Sequence, residues 1–191
     1  MLEYLPIIGA IKSIIDIING GLAAKNSIKS NKKFFDDVVV EVNKAFNKIV
    51  VDYISMMLHL RNWIENNGSV AKINNQLKVF SESRLVFMQL RRELHYTCES
   101  VKSQKQFEVF HCYFMLVDST FYYSVFDLSA SRQMLYWLYD LIELEPDLNP
   151  DDRKRFLERT ISVCKKFERA FEKQADLVTR EYVKLKLKFH A

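Results

Sequence analysis

The sequence contains few of the residues that form tight turns or special chemical sites. Its 191 residues include four glycines and three prolines, which leaves little material for the many turns of a β-rich fold. The three cysteines, Cys98, Cys112 and Cys164, have no metal-like spacing and are odd in number, which favours a reducing compartment and ordinary packing. These shortages predict an all-α fold, a bundle of long helices.

The motifs of common catalytic and cofactor sites are also missing from the sequence. It has no glycine-rich phosphate loop, no cysteine or histidine pair with metal-ligand spacing, and no nucleophile in a recognisable elbow. The net charge of +4 is spread along the chain and is too small to indicate a nucleic-acid partner by itself. We therefore expect no cofactor, no metal and no enzymatic activity.

The first 24 residues are the most unusual stretch of the chain. On a helix they present a broad apolar face and a narrow polar one, whereas a surface helix of a soluble domain usually has the opposite balance. The apolar face contains Ile7, Ile8, Ala10, Ile11, Ile14, Ile15, Ile17, Ile18 and Leu22. The narrow face, called the polar strip below, contains Gly9, Lys12, Ser13, Asp16, Asn19 and Gly20.

This first helix predicts a membrane pore built from several copies of the chain. From Pro6 to Leu22 it would be about 25 Å long, slightly less than a bilayer core of about 30 Å. In a single copy, Lys12 and Asp16 would face hydrocarbon at a cost of a few kcal/mol per charge, whereas in a ring they would line a shared lumen. We thus expect a transmembrane, pore-lining helix over residues 1–24 and a cytoplasmic helical bundle over residues 25–191. The alternative is an apolar helix docked in a soluble bundle, with the polar strip in water.

A basic cluster directly follows this helix. It consists of Lys25, Lys29, Lys32 and Lys33, with no acidic residue among them. The positive-inside tendency places the body of such a protein on the cytoplasmic side, with these lysines at the membrane surface. The segment before the helix carries Glu3 and no lysine or arginine, unlike a cleaved signal peptide.

Apolar periodicity predicts further helices along the rest of the chain. They are expected over residues 34–65, 70–98, 107–128 and 131–144, and from Pro150 onward. The segment 107–128 is apolar nearly all round, which indicates the middle of a bundle. The last helix has the clearest start, since Asn149 can cap it and Pro150 suits its first position. Its end, residues 183–190, alternates apolar and basic residues, which indicates either a frayed tail or a membrane or partner contact.

Arg91 and His95 form the one candidate catalytic pair. They are four residues apart on the third predicted helix and so share a face. A cation beside an imidazole could bind or cleave a phosphodiester, with the imidazole as acid or base. A surface or interhelical contact is the alternative.

An all-helical body with this pair on one helix resembles HEPN domains, whose ribonuclease members carry an arginine, four to six residues, and then a histidine. Here three residues separate Arg91 from His95, so the resemblance implies a vestigial, HEPN-like site. With the apolar N-terminal stretch and the small size, the chain resembles the membrane-pore accessory proteins of type VI-B CRISPR systems. That resemblance implies a homo-oligomeric ring, with an octamer as the best estimate, in the bacterial inner membrane. The ring would depolarise phage-infected cells and so enhance an RNA-guided, RNA-targeting effector.

Two other classes of function stay open at this point. One is a HEPN-type ribonuclease carried by Arg91 and His95. The other is a soluble helical interaction module, such as an antitoxin-like or adaptor bundle, or a death-effector bundle of the HeLo kind, which also begins with an apolar helix. Direct binding of nucleic acid is left undecided.

Overall fold

The computed structural model describes residues 6–24, 30–66, 84–121, 140, 143–144 and 147–190, and this part of the chain contains helices and no strand. The predicted all-α bundle is therefore confirmed. The helices are α1 (Pro6–Ala23), α2 (Asn31–Phe34), a π-helical turn (Phe35–Val39), α3 (Val40–Glu65), α4 (Arg84–Lys102), a 3₁₀ helix (Lys105–Phe110), α5 (His111–Phe121) and α6 (Pro150–His190).

Five helices enclose one apolar core. Helix α1 packs against α3 and α4, α3 packs against α6, and α5 packs against both α4 and α6, so the contacts close into a ring. Apolar residues at helical spacing in the predicted helix over 34–65 are buried in this core; they are Phe35, Val38, Val42, Phe46, Ile49, Tyr53, Met57 and Ile64. Ile54 and Leu58, which would widen this face, are not buried. In the described part of the predicted segment 107–128, six aromatic and apolar residues are buried, while Cys112 and Met115 are exposed, so one face of this segment lies in the core and another at the surface. The buried residues are Phe107, Phe110, Tyr113, Phe114, Val117 and Phe121.

Two neighbouring aromatic residues where α2 meets the π-helical turn enter the core on different sides. Phe34 stacks on Phe107, with ring centroids 4.0 Å apart, while Phe35 stacks on Tyr182 at 5.6 Å. Adjacent residues of a helix project about 100° apart. Consequently α2 contacts the 3₁₀ helix through one ring, and the turn contacts the end of α6 through the next ring.

Helix α1 has the two faces that the sequence predicts, but its apolar face meets protein. Ile11, Ile14, Ile15 and Ile18 are at most 1% exposed and belong to the common core, whereas the whole polar strip is exposed. The expected membrane-inserting helix is not supported, because the isoleucines that should face lipid pack against α3 and α4. Within the described residues, no helix is both long enough and apolar enough to cross a membrane.

Some predicted helix boundaries differ from the observed ones. Helix α4 continues to Lys102, past the expected end at residue 98, and residues 70–83 of that prediction lie outside the described residues. The predicted helix over 107–128 begins as the 3₁₀ helix and is described only to Phe121. The predicted helix over 131–144 lies almost entirely outside the described residues.

Helix α6 begins as predicted and ends differently. The Asp152 backbone N–H donates to Asn149 Oδ1 at 3.0 Å, which confirms the N-cap. The expectation of a frayed tail is wrong, because the helix runs through residues 183–190 to its end at His190. Leu185 is 3% exposed and the His190 ring lies 2.7 Å from Asp36 Oδ1, so this end is packed against the π-helical turn.

Adjacent glycines in α1 allow a direct test of its docking. A Cβ atom on Gly21 would lie 2.3 Å from Val38 Cγ2, on a branched side chain that is itself fully buried, whereas one on Gly20 would meet nothing within 4 Å. We expect Gly21→Ala to destabilise the protein by about 1–3 kcal/mol through overpacking. Gly20→Ala should stabilise it by up to about 1 kcal/mol, because alanine favours a helix.

Urea unfolding followed by circular dichroism at 222 nm would compare the two variants. Equal unfolding midpoints for Gly20→Ala and Gly21→Ala would contradict the close packing of α1 against the π-helical turn.

Candidate functional site

The polar strip of α1 forms the first candidate site. All six of its residues are exposed, as expected for a face that does not take part in the core. Gly9 and Gly20 have open space where a Cβ would stand, so another chain could approach the backbone closely at these two positions. Of the lysines expected at a membrane surface, Lys32 and Lys33 are exposed on α2, while Lys25 and Lys29 lie outside the described residues.

The second candidate site lies between α4 and α5, around His95. Its Nδ1 atom is 2.9 Å from Oδ2 of Asp118, a hydrogen bond in which an N–H on the ring donates to the carboxylate. The His95 side chain is 26% exposed, while Asp118 is 8% exposed as a residue. A carboxylate in this position fixes the tautomer and orientation of an imidazole.

Burial is the main cause of the shifted pKa of Asp118. Loss of hydration raises the pKa of its carboxyl group above the ordinary value, and the hydrogen bond and charge of His95 offset only part of this increase. Its other oxygen, Oδ1, is buried and accepts no hydrogen bond from the described residues. An ionised Asp118 therefore has an acceptor that is neither solvated nor paired there, an arrangement that costs free energy unless a donor or a cation approaches.

Glu99, one helical turn after His95, is a third side chain with an atom that can bind a metal. Its carboxylate pairs with Lys102, which also lies near enough to Asp118 to lower that carboxyl's pKa slightly. One ligand atom from each of His95, Glu99 and Asp118 can be chosen so that all three atoms lie within 4.8 Å of one another. An imidazole nitrogen and two carboxylate oxygens are donors that divalent transition metals accept.

The side chains of Arg91 and His95, the predicted catalytic pair, lie in different environments. Both residues lie on α4 as expected, but Arg91 is 5% exposed and points into the protein, whereas His95 reaches the surface. An arginine this buried has no free path to a phosphate in solution. The residue that contacts His95 is Asp118, which the sequence analysis did not single out. The signal available in the sequence was an acidic residue within the otherwise apolar segment 107–128, because a buried acidic residue usually has a partner.

A shallow groove lies on the neighbouring face of α4. Its volume is about 330 Å³, and its lining residues are Gln89, Arg92, Glu93, Tyr96, Thr97 and Ser100. Tyr96 is 64% exposed within it. The groove carries charges of both signs and does not include His95, so it gives no separate indication of a ligand.

The burial of Asp118 predicts a specific pH dependence of stability. Because the folded pKa of this carboxyl is raised, its ionisation costs stability at neutral pH, and that penalty disappears as the pH falls through the folded pKa. We expect Asp118→Asn to be at least as stable as the wild-type protein at pH 7. Any advantage of the variant should shrink toward pH 4.

Chemical denaturation of both proteins between pH 4 and pH 8 measures this difference. If Asp118→Asn loses about 1.5–3 kcal/mol at pH 7, the size of a hydrogen bond to a charged group, the ionised form is net stabilising and the interpretation is wrong.

Comparisons with known proteins identify no relative of this chain. No protein-family model matches the sequence, and neither the curated proteins nor the solved structures gave a significant match. The comparisons therefore give no support to the expected HEPN-like fold, and the resemblance to membrane-pore accessory proteins stays a prediction from the sequence.

Proposed function

We propose that this chain is a homo-oligomeric pore-forming protein that keeps its membrane-active helix, α1, stored in the bundle until it meets a bilayer. The observation that carries the proposal is the division of α1 into a face on which Ile11, Ile14, Ile15 and Ile18 are buried and a polar strip that is exposed at all six positions. In a ring of inserted helices the same two faces would meet lipid and lumen. The same amphipathic pattern thus suits α1 both when it is docked in the bundle and when it is inserted in a membrane.

The kind of contact that holds α1 is compatible with release. Between described residues, no ion pair or side-chain hydrogen bond connects Pro6–Ala23 to another helix, and the contacts are those of the apolar core. Apolar contacts have no fixed direction, and lipid tails are as apolar as isoleucine. A bilayer can therefore replace the protein environment of α1, whereas water cannot.

The free energy contributed by the buried isoleucines of α1 disfavours release of the helix into water, so release is expected only at a membrane. Burying one isoleucine contributes about 1.5–3 kcal/mol, so the four buried isoleucines of α1 contribute about 6–12 kcal/mol. A whole domain is stable by only about 5–15 kcal/mol. Exposing α1 to water would thus cost most of the stability of the fold, and the bundle in water should keep α1 docked.

The polar strip contains charged and polar groups of the kind that would line the aqueous lumen of a ring. Lys12 and Asp16 are four residues apart and can pair along one helix, and Ser13 and Asn19 offer further polar groups. Insertion of one copy would put the two charges in hydrocarbon, while a ring would place them in a shared aqueous lumen. The exposed Lys32 and Lys33 after α1 would then lie near anionic lipid headgroups.

The resemblance to type VI-B CRISPR accessory proteins extends the proposal to antiphage defence. In that role the ring lies in the inner membrane with its body in the cytoplasm. It depolarises infected cells after an RNA-guided effector has found its target.

A disulfide across the docking contact tests the release step. A Cβ atom on Gly21 would lie 3.5 Å from Cβ of Val38, which is within the range of disulfide-bonded cysteines. We expect the Gly21→Cys/Val38→Cys variant, with Cys112→Ser to remove the exposed thiol, to cause no dye leakage from anionic vesicles when oxidised. Reduction should restore leakage to the level of the Cys112→Ser protein.

The Val38→Cys variant in the same Cys112→Ser background is the matched control, since it changes the contact without a cross-link. Its leakage should not depend on the redox state. Equal leakage by the oxidised and reduced double-cysteine variant would show that α1 does not need to leave the bundle.

A HEPN-type ribonuclease is a second candidate function, favoured by the hydrogen bond between His95 and Asp118. An oriented imidazole is a suitable general base for the 2′-hydroxyl of RNA. Cleavage of a single-stranded RNA in EDTA by the wild-type protein, lost in His95→Gln and unchanged in His190→Gln, would support this function. Intact RNA in all three reactions would leave the pore as the better account.

A further inference from the structure

We propose that His95, Glu99 and Asp118 form a binding site for a divalent first-row transition metal, with Zn²⁺ as the best match. The proposal does not rest on the proposed pore function, because none of the three residues belongs to α1. It joins two helices, since His95 and Glu99 lie on α4 and Asp118 lies on α5.

The geometry of the three donors is close to that of a metal site. His95 and Glu99 are four residues apart, so they project from the same face of α4 on successive turns. His95 Nδ1 and Asp118 Oδ2 are 2.9 Å apart, and one ligand atom from each of the three residues can be chosen so that all three lie within 4.8 Å of one another. Metal binding at Nδ1 requires the imidazole tautomer with its proton on Nε2, so bonds to the metal replace the hydrogen bond between His95 and Asp118. Tetrahedral ligands with metal bonds of roughly 2.0–2.2 Å are about 3.3–3.6 Å apart, so small rotations of the side chains suffice.

A second observation at the same place indicates a cation. Asp118 Oδ1 is buried without a hydrogen-bond partner among the described residues, although Asp118 is 8% exposed. A carboxylate with one unsatisfied oxygen in a buried site is costly, and a bound metal ion would compensate for that cost through either oxygen.

The kinds of ligand atom in the site favour some metal ions over others. An imidazole nitrogen makes Mg²⁺ and Ca²⁺ poor matches, because these ions prefer oxygen ligands. One nitrogen and two carboxylate oxygens suit Zn²⁺, and three protein ligands would leave its fourth position open to water. Mn²⁺ should bind the same site more weakly, following the usual order of divalent ions.

Another histidine–aspartate pair in the chain provides a matched control. His190 Nε2 lies 2.7 Å from Asp36 Oδ1, a contact as short as that of His95 with Asp118. In the described part of the chain, however, only the set of His95, Glu99 and Asp118 brings three metal-binding side chains together. A histidine–aspartate contact by itself should therefore not bind the metal.

Competition with a chromophoric chelator measures Zn²⁺ binding to the full-length protein. We expect one Zn²⁺ per chain, and a rise in Tm of roughly 5–10 °C at free Zn²⁺ about 100-fold above Kd. Glu99→Gln should weaken binding at least about 100-fold, because loss of even an outer-shell partner costs about 10–100-fold. Glu99 is partly exposed, so this variant should fold normally.

Two further variants separate this site from other ligands. His190→Gln should bind Zn²⁺ like the wild-type protein, and so should Cys112→Ser, which removes the exposed thiol. Mn²⁺, which has little affinity for thiols, should give a bound-ion electron paramagnetic resonance signal that is lost in Glu99→Gln. Unchanged Zn²⁺ affinity in Glu99→Gln, or loss of binding in Cys112→Ser, would overturn the proposal.

Discussion

Packing of the α1 isoleucines between α3 and α4 is the contact on which the rest of the fold depends. Ile11, Ile14, Ile15 and Ile18 fill the space between two helices that belong to opposite sides of the ring of contacts. Without α1 that ring is open, and the buried faces of α3 and α4 meet water. The helix that the sequence predicts to enter a membrane is therefore a central part of the protein core.

Helix α4 connects this core to the second candidate site. Its buried residues Leu94 and Cys98 contribute to the core, while His95 and Glu99, one position further along, lie beside Asp118 on α5. Any displacement of α1 would remove a neighbour of α4 and could change the distance between α4 and α5. The arrangement offers a physical route by which the state of α1 and the geometry of His95 and Asp118 could influence each other.

Periodicity in the sequence predicted the helices and most of the core, but not the environment of each face. The positions of Phe46, Tyr53 and Met57 follow from 3.6-residue spacing and are buried as expected. The isoleucines of α1 follow the same rule, yet periodicity cannot distinguish burial in lipid from burial in protein, because both are apolar. The pairing of His95 with Asp118 was not predictable, since 23 residues separate them and only the packing of α4 on α5 brings them together.

In the proposed function, α1 is docked in the bundle while the protein is in water, and it leaves the bundle at a membrane. Spin labels at Gly20→Cys on the open side of α1 and at Val51→Cys on the exposed side of α3 would report the distance between these helices by pulsed electron resonance. The account predicts one narrow distance in buffer and a longer, broader distribution after addition of anionic vesicles. An unchanged narrow distance in vesicles that the protein permeabilises would contradict it.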